Sequence, residues 1–189
     1  MANTDAPSGF RLVGTISGAA FNASVRMYSI PASDGTATFL GDAVKTNGTA
    51  DADGTPQVIQ AAAGNTVRGV IVGFVPDYTN LETKHRLAST QRFCYVCDDP
   101  RALFEVQEDS DAGDMAITAV SGNVDIVVGA GSTTSGRSGM ELDSSSVTGS
   151  STAQCRLISI VTRADNEIGT NAKWLVTFNE HELASTTGV

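Results

Sequence analysis

Near the end of the chain, residues 156–179 have the sequence RLISIVTRADNEIGTNAKWLVTFN. The apolar run Arg156–Val161 is followed by a polar connection and then by a segment in which large apolar and polar side chains alternate. Trp174, Val176 and Phe178 fall on one face of that segment. A period of two is typical of a strand with one buried face, so this stretch predicts two paired strands that close a compact β domain.

The rest of the chain repeats short apolar runs separated by turn residues. Strands are predicted at Val25–Ile30, Gly41–Lys45, Gln57–Gln60, Val67–Val75, Phe93–Cys97, Leu103–Gln107 and Val124–Val128. The Asn47-Gly48 pair predicts a two-residue hairpin turn, and 51–54 predicts a second turn. The strongest helix candidate is Tyr78–Ala88. Many short strands at close intervals predict an all-β fold, either a small β-barrel or a β-sandwich.

Two segments contain too few large apolar residues to form a core. Residues 1–24 are either a disordered terminus or, the interpretation we favour, an extended arm that orders on a partner. The spaced apolar side chains that would anchor this arm are Phe10, Leu12, Val13, Ile16 and Phe21. Residues 25–189 then form a single β-rich domain, in which 77–122 could be a small lobe. The Gly-, Ser- and Thr-rich stretch 129–152 is either a mobile flap or a contact element.

Charge and targeting signals narrow the classes of partner. The chain has 12 basic and 21 acidic residues, a net charge of -9, and no cluster of Lys or Arg. Nucleic acid is therefore not an expected partner, because phosphate binding needs clustered cations. The first residues lack a secretion signal, and no apolar run has the roughly twenty residues needed to span a bilayer. We expect a protein that folds in a cytosol and has no membrane contact.

Three cysteines invite a test for metal or redox chemistry. Cys94 and Cys97 form a C-x-x-C within a predicted strand, where an offset of three places the two sulfurs on opposite faces. Cys155 is a single further cysteine, whereas a zinc ribbon requires a second pair. We therefore expect three buried free thiols, with neither a metal nor a disulfide.

Other catalytic patterns are incomplete. Five carboxylates, Glu105, Glu108, Asp109, Asp111 and Asp114, are close in sequence, but they lack EF-hand spacing. His85 and His181 are far apart in sequence, and we expect His181 to be exposed. The sequence has no nucleophile elbow, dinucleotide fingerprint or phosphate-binding loop. These observations predict a protein that is not an enzyme and uses no cofactor.

Along most of its length the sequence resembles the head decoration, or cement, proteins of tailed bacteriophages. The segments that carry this resemblance are Met1–Gly18, Ile30–Ala37, Gly69–Phe74, Phe104–Asp109, Asp125–Gly129, Asp165–Gly169 and Lys173–Val176. The resemblance implies a β-rich homotrimer that is made in the bacterial cytoplasm and located on the outer surface of the virion. Its partner would be the major capsid protein, whose neighbouring subunits it would clamp together.

Two other classes remain open. One is a tail or head-fibre component that binds a host-surface glycan, for which Tyr78 and Tyr28 are the available aromatic residues. The other is a small hydrolase with a carboxylate site between Glu105 and Asp114. Sedimentation of the purified protein, alone and with empty capsids, would discriminate among the three classes.

Overall fold

The computed structural model describes residues 3–18 and 24–184, and nearly all regular secondary structure in this part of the chain is β-strand. The strands are β1 Arg11–Thr15, β2 Arg26–Ile30, β3 Ala43–Ala50, β4 Pro56–Gln60, β5 Gly69–Phe74, β6 Arg92–Cys97, β7 Ala102–Gln107, β8 Asn123–Val124, β9 Ile126–Gly129, β10 Gly139–Leu142, β11 Cys155–Ile160 and β12 Lys173–Phe178. Its helical residues form two single 3-10 turns, Ile117–Ala119 and Ser144–Ser146. The predicted all-β class is confirmed.

Five strands close into a small barrel in the order β2-β4-β3-β5-β6. The pairings are antiparallel except between β2 and β4, which run parallel and meet at Ser29 and Gln57. Alternate side chains of each strand point inward, because successive Cβ atoms lie on opposite faces. The barrel interior is filled by Tyr28, Ile30, Val44, Val58, Ile71, Cys94 and Val96.

A five-stranded sheet in the order β1-β7-β12-β11-β8 packs against the barrel. The predicted closing pair is confirmed, since β11 and β12 are antiparallel and Trp174, Val176 and Phe178 are all buried. Strands β9 and β10 form a separate two-stranded ribbon. The larger core joins all three parts, because it also contains Val70 and Cys97, which point out of the barrel.

The predicted helix at Tyr78–Ala88 is wrong. These residues form turns, in which Tyr78 and Leu81 are exposed while His85 and Arg86 are buried. The segment lacks an apolar stripe at helical spacing, and packing of such a stripe supplies most of the stability of a short helix. Arg86 instead donates to the carbonyl oxygens of Pro31, Asp34, Thr36 and Thr90, which fixes two loops together.

The hairpin turn predicted at Asn47-Gly48 is also wrong, because β3 continues through it to Ala50. Gly48 has a φ of +76° and lies in a bulge, where the pairing with β4 shifts register between Thr46 and Ala50. The chain reverses at Asp51–Gly54, as predicted. There the Asp51 carboxylate accepts hydrogen bonds from the N–H groups of Asp53 and Thr55.

The predicted division into an arm and a domain needs three corrections. Within the predicted arm 1–24, residues 11–15 form β1, an integral strand of the sheet that pairs with β7. The predicted lobe 77–122 is split, because β6 belongs to the barrel and β7 to the sheet. Residues 129–152 are not one flap, since they contain β10, whose Met140 and Leu142 are fully buried.

Candidate functional site

Phe10, a predicted partner contact, lies in the core instead. Its ring packs against those of Phe104 and Phe178, with centroid separations of 6.2 and 5.2 Å. Gly9 makes this entry possible: its φ is +67°, and a Cβ there would overlap Ser138 and the carbonyl oxygen of Gly41. Phe10 is 2% exposed, so it stabilises the domain and is not available to a partner.

The other predicted anchors are distributed along β1 and beyond it. Leu12 is half-buried, whereas Val13 is 45% exposed and Ile16 is 53% exposed. Phe21 lies outside the described residues. Val13 lines an open groove of about 650 Å³ that crosses β1, β7 and β12, together with Leu103 and Leu175. We call this surface the sheet groove; it offers apolar contact area that the two cores do not use.

Glu105 also lines the sheet groove and binds the nearby Arg163. Its Oε2 accepts a hydrogen bond from Arg163 Nη1 at 2.9 Å, and Arg11 lies 4.0 Å from its Oε1. This neighbouring carboxylate helps to raise the pKa of Arg163. The sheet groove thus combines apolar side chains with a fixed ion pair.

A second groove, of about 290 Å³, lies where β1 meets the barrel. It is lined by the apolar side chains of Leu12, Leu40 and Val72 and by two exposed arginines, Arg11 and Arg137. Among the described residues Arg137 makes no ion pair, and Arg11 has only the contact with Glu105. We call this surface the arginine groove.

The five carboxylates that are neighbours in sequence do not form one site. Glu105 lies in the sheet groove, and Glu108 is buried, where it accepts hydrogen bonds from Trp174 Nε1 and the Met115 N–H. Asp109 and Asp111 instead meet Asp143, with one oxygen of each within 4.8 Å of the others. A hydrolase site built from the whole set would need these groups to converge, and they occupy three different surroundings.

Each of the three clustered aspartates faces the others, but one of its oxygens already accepts a hydrogen bond from the loop 144–145. Asp109 accepts from the Ser144 N–H at 3.0 Å, and Asp143 accepts from the Ser145 N–H at 2.9 Å. Ca²⁺ takes six to eight oxygen ligands. Three carboxylates on local turns do not meet that requirement, so we assign no metal here.

Glu141 lies beside this cluster and was missed in the sequence, because its neighbours are distant along the chain. Gln107 Nε2 donates to Glu141 Oε1 and also to Asp5 Oδ1. The one side-chain amide thus holds these two carboxyl groups close together. Burial, followed by the negative charges of Asp5 and Asp109, raises the pKa of Glu141 to about 7. We call Asp5, Asp109, Asp111, Glu141 and Asp143 the acidic pole.

The raised pKa of Glu141 predicts how the stability of the protein depends on pH. Its ordinary value is 4.5, so between that pH and about 7 the native state binds more protons than the unfolded state, and stability falls as the pH rises. We expect Glu141→Gln to stabilise the protein at pH 8 by about 1 kcal/mol, a rise in Tm of about 2–4 °C, and to have no such effect at pH 4. Thermal melts of both variants at the two pH values measure this, with the exposed Glu82→Gln as control. Equal gains at both pH values would contradict the assignment.

The prediction that His181 is exposed is wrong. The segment after β12 pairs with the barrel, where the Val67 N–H donates to the Glu180 carbonyl and the Glu182 N–H donates to the Val67 carbonyl. His181 is buried there, and burial, with the nearby Arg68 cation, lowers its pKa to about 4. His85 lies in a different environment, stacked on Phe39 at 4.8 Å, so the two histidines do not form a joint site.

Cys94, Cys97 and Cys155 are free and buried. Cys94 belongs to the barrel core and Cys97 to the larger core, so the sulfurs of the C-x-x-C lie on opposite faces of β6, as predicted. Burial raises the pKa of Cys94 to about 12 and that of Cys97 to about 11, and it also raises the pKa of Cys155. Each thiol is therefore packed as a small apolar group and kept protonated.

The thiols should consequently be inert in the native protein. We expect negligible reaction with Ellman's reagent at pH 8, because the thiolate is the nucleophile and the raised pKa values suppress it. In denaturant the same sample should release three equivalents of chromophore per chain, one for each cysteine. Rapid reaction of any thiol under native conditions would show that its surroundings open readily.

An exposed aromatic side chain, that of Tyr78, lies at the end of the barrel. Tyr78 is 86% exposed and lines an open pocket of about 310 Å³ together with Asp77, Thr79 and Gln91. Tyr28, the other aromatic considered, is buried, and its hydroxyl donates to Asp98 Oδ2 at 2.7 Å. Of these two tyrosines, Tyr78 is therefore the one on which a ligand could stack.

Comparison with known proteins adds no relative to this description. No protein-family model matches the sequence, and no curated protein or solved structure is significantly similar to it. Within the described residues, no helix is long and apolar enough to cross a membrane. The functional argument therefore depends on the surfaces described above.

Proposed function

We propose that the protein is a non-enzymatic structural component of a phage virion. In this role it binds the outside of an icosahedral capsid as a homotrimer and stabilises contacts between major capsid subunits. The resemblance of the sequence to head decoration proteins motivates the proposal. The observation that carries it is the sheet groove, which exposes apolar side chains of β1, β7 and β12 on a domain whose cores are complete without them.

Binding alone is sufficient for such a role. A protein that contacts two neighbouring capsid subunits stabilises the closed lattice by its binding free energy, without any chemical step. Copies repeated over the lattice, or joined in a trimer, gain further affinity because each first contact raises the effective concentration for the next. The exposed Val13 lies on β1, the edge strand of the sheet, and the exposed Ile16 directly follows that strand, where a capsid surface can reach them.

The test uses expanded capsids of a phage whose genome carries this reading frame beside a major capsid gene. The purified protein should co-sediment with these capsids at a fixed copy number per capsid subunit. The double variant Val13→Ser/Ile16→Ser should lose most of that binding while keeping its melting temperature. The matched variant Leu81→Ser, at an exposed site in the connection between β5 and β6, should bind normally. Absence of co-sedimentation by the unaltered protein would refute the proposal.

A glycan-binding component of a tail or head fibre is the second candidate. Tyr78 favours it, because an exposed aromatic ring beside the polar side chains of Asp77, Thr79 and Gln91 is suited to stacking on a sugar. A glycan array should then show selective binding that Tyr78→Ala abolishes and Tyr78→Phe largely retains. Capsid co-sedimentation by Tyr78→Ala at the level of the unaltered protein would separate the two functions.

A further inference from the structure

The molecule carries two oppositely charged surfaces, in which Arg11 is the one charged group that has an ion-pair contact with another described residue. One is the arginine groove, where Arg11 and Arg137 line an apolar cleft. The other is the loop Asp111–Ile117, which we call the acidic segment and which begins at Asp111 of the acidic pole. No Lys or Arg occurs in the sequence between Arg101 and Arg137, so the acidic segment has no cation among its neighbours along the chain.

The acidic segment also carries an apolar group. Asp111 and Asp114 are exposed, and Ile117 is 67% exposed, on the 3-10 turn that follows them. The segment is held in place by Met115, whose side chain is buried and whose N–H donates to Glu108 Oε2 at 3.0 Å. Because the loop is fixed before any contact forms, binding through it loses little conformational entropy.

The arginine groove complements both features. Its exposed guanidinium groups match the two aspartates, and Leu12, Leu40 and Val72 offer an apolar surface of the kind that Ile117 would bury. The guanidinium of Arg137 is available to pair with an aspartate of another molecule, because it makes no ion pair with any other described residue. Pairs of opposite charge at an interface give specificity and fix the register of the contact.

We propose that the arginine groove of one copy of this chain binds the acidic segment of a second copy. The two surfaces are different, so the contact is head-to-tail, and successive contacts form a closed ring if the rotation between copies allows it. The inference rests on the self-association in the proposed function and names the surfaces that would produce it. This contact also gives a role to the two arginines that lie beside the apolar cleft of an acidic protein.

The test is reversal of charge on each side of the contact. Arg137→Glu and Asp114→Arg should each weaken self-association at least about tenfold, and Arg137→Glu/Asp114→Arg in one chain should restore it, as sedimentation velocity would show over a concentration series. In a mixture of the two single variants, the groove of each variant is complementary in charge to the acidic segment of the other, so mixed dimers should form. A ring with an odd number of subunits cannot alternate the two variants and would keep one contact between like charges. Arg156→Glu and Asp53→Arg, at exposed sites elsewhere, are the matched controls and should behave as the unaltered protein does.

The possible failures are distinguishable. If the unaltered protein associates and the single reversals do not weaken it, this inference is wrong while self-association stands. A monomer at every concentration would overturn both, and capsid binding would still be decided by co-sedimentation. Should Arg137→Glu fail to fold, Ile117→Ser on the opposite surface must weaken association for the inference to survive.

Discussion

Deletion of residues 2–15 is expected to unfold the protein or leave it aggregated. The deletion removes β1 from the edge of the sheet and takes Phe10 out of an aromatic cluster with Phe104 and Phe178. Replacing a buried phenylalanine by alanine alone costs about 3–5 kcal/mol, against a total stability of about 5–15 kcal/mol for a typical domain. Circular dichroism and thermal melting of the truncated chain measure the effect.

Two point variants separate the contribution of the core from that of the exposed surface. Phe10→Ala should reproduce much of the loss, whereas Ile16→Ser should change stability by less than about 0.5 kcal/mol, as surface substitutions usually do. A soluble truncated protein that melts at the temperature of the full chain would mean that the aromatic cluster contributes little. It would also restore the interpretation of residues 1–24 as a dispensable arm.

Trp174→Ala is expected to be the most destabilising single substitution. The indole is fully buried, and its Nε1–H donates to Glu108 Oε2 at 3.3 Å. Loss of the ring leaves a large cavity at a cost of about 3–5 kcal/mol, and it also removes a hydrogen-bond donor from a buried carboxyl group. Chemical denaturation, with unfolding followed by circular dichroism, measures the change in free energy.

Trp174→Phe distinguishes the two contributions. It keeps an aromatic ring in the cavity but cannot donate to Glu108, so its cost should be well below that of alanine. Burial raises the pKa of Glu108, so losing the indole donor should raise that pKa further and favour the protonated carboxyl. A melting temperature for Trp174→Ala equal to that of Tyr78→Ala, an exposed control, would contradict the core assignment.

Local patterns predicted most of the strands and the closing pair because alternation depends on neighbouring residues, but they missed β1 and β10. The period-two face of β12 is visible in six consecutive residues, and so is the opposite placement of Cys94 and Cys97. The role of Phe10 was not visible, because its partners Phe104 and Phe178 lie about a hundred residues or more away in the sequence. A sparse N-terminal segment therefore resembled an arm although it completes the core.

The charged surfaces also depend on contacts between residues that are distant in the sequence. Five carboxylates close in sequence predicted one cluster, yet alternation along β7 directs Glu105 to the sheet groove, while the buried Glu108 follows its end. The acidic pole instead gathers Asp5 and Asp143 from opposite parts of the chain. The proximity of such residues depends on the order of the strands, which could not be predicted from the sequence. The turn at Asp51–Gly54, in contrast, was predictable, because the Asp51 side chain forms it locally.

The sheet order β1-β7-β12 has a consequence for how the protein folds during translation. The first strand cannot complete its sheet or bury Phe10 until β12, near the end of the chain, has left the ribosome. Until then the apolar side chains that later fill the larger core are exposed on the nascent chain. Folds dominated by such distant pairings form slowly, and their incomplete forms aggregate readily. Expression at low temperature, or with a chaperone that holds unfinished chains, should therefore raise the soluble yield.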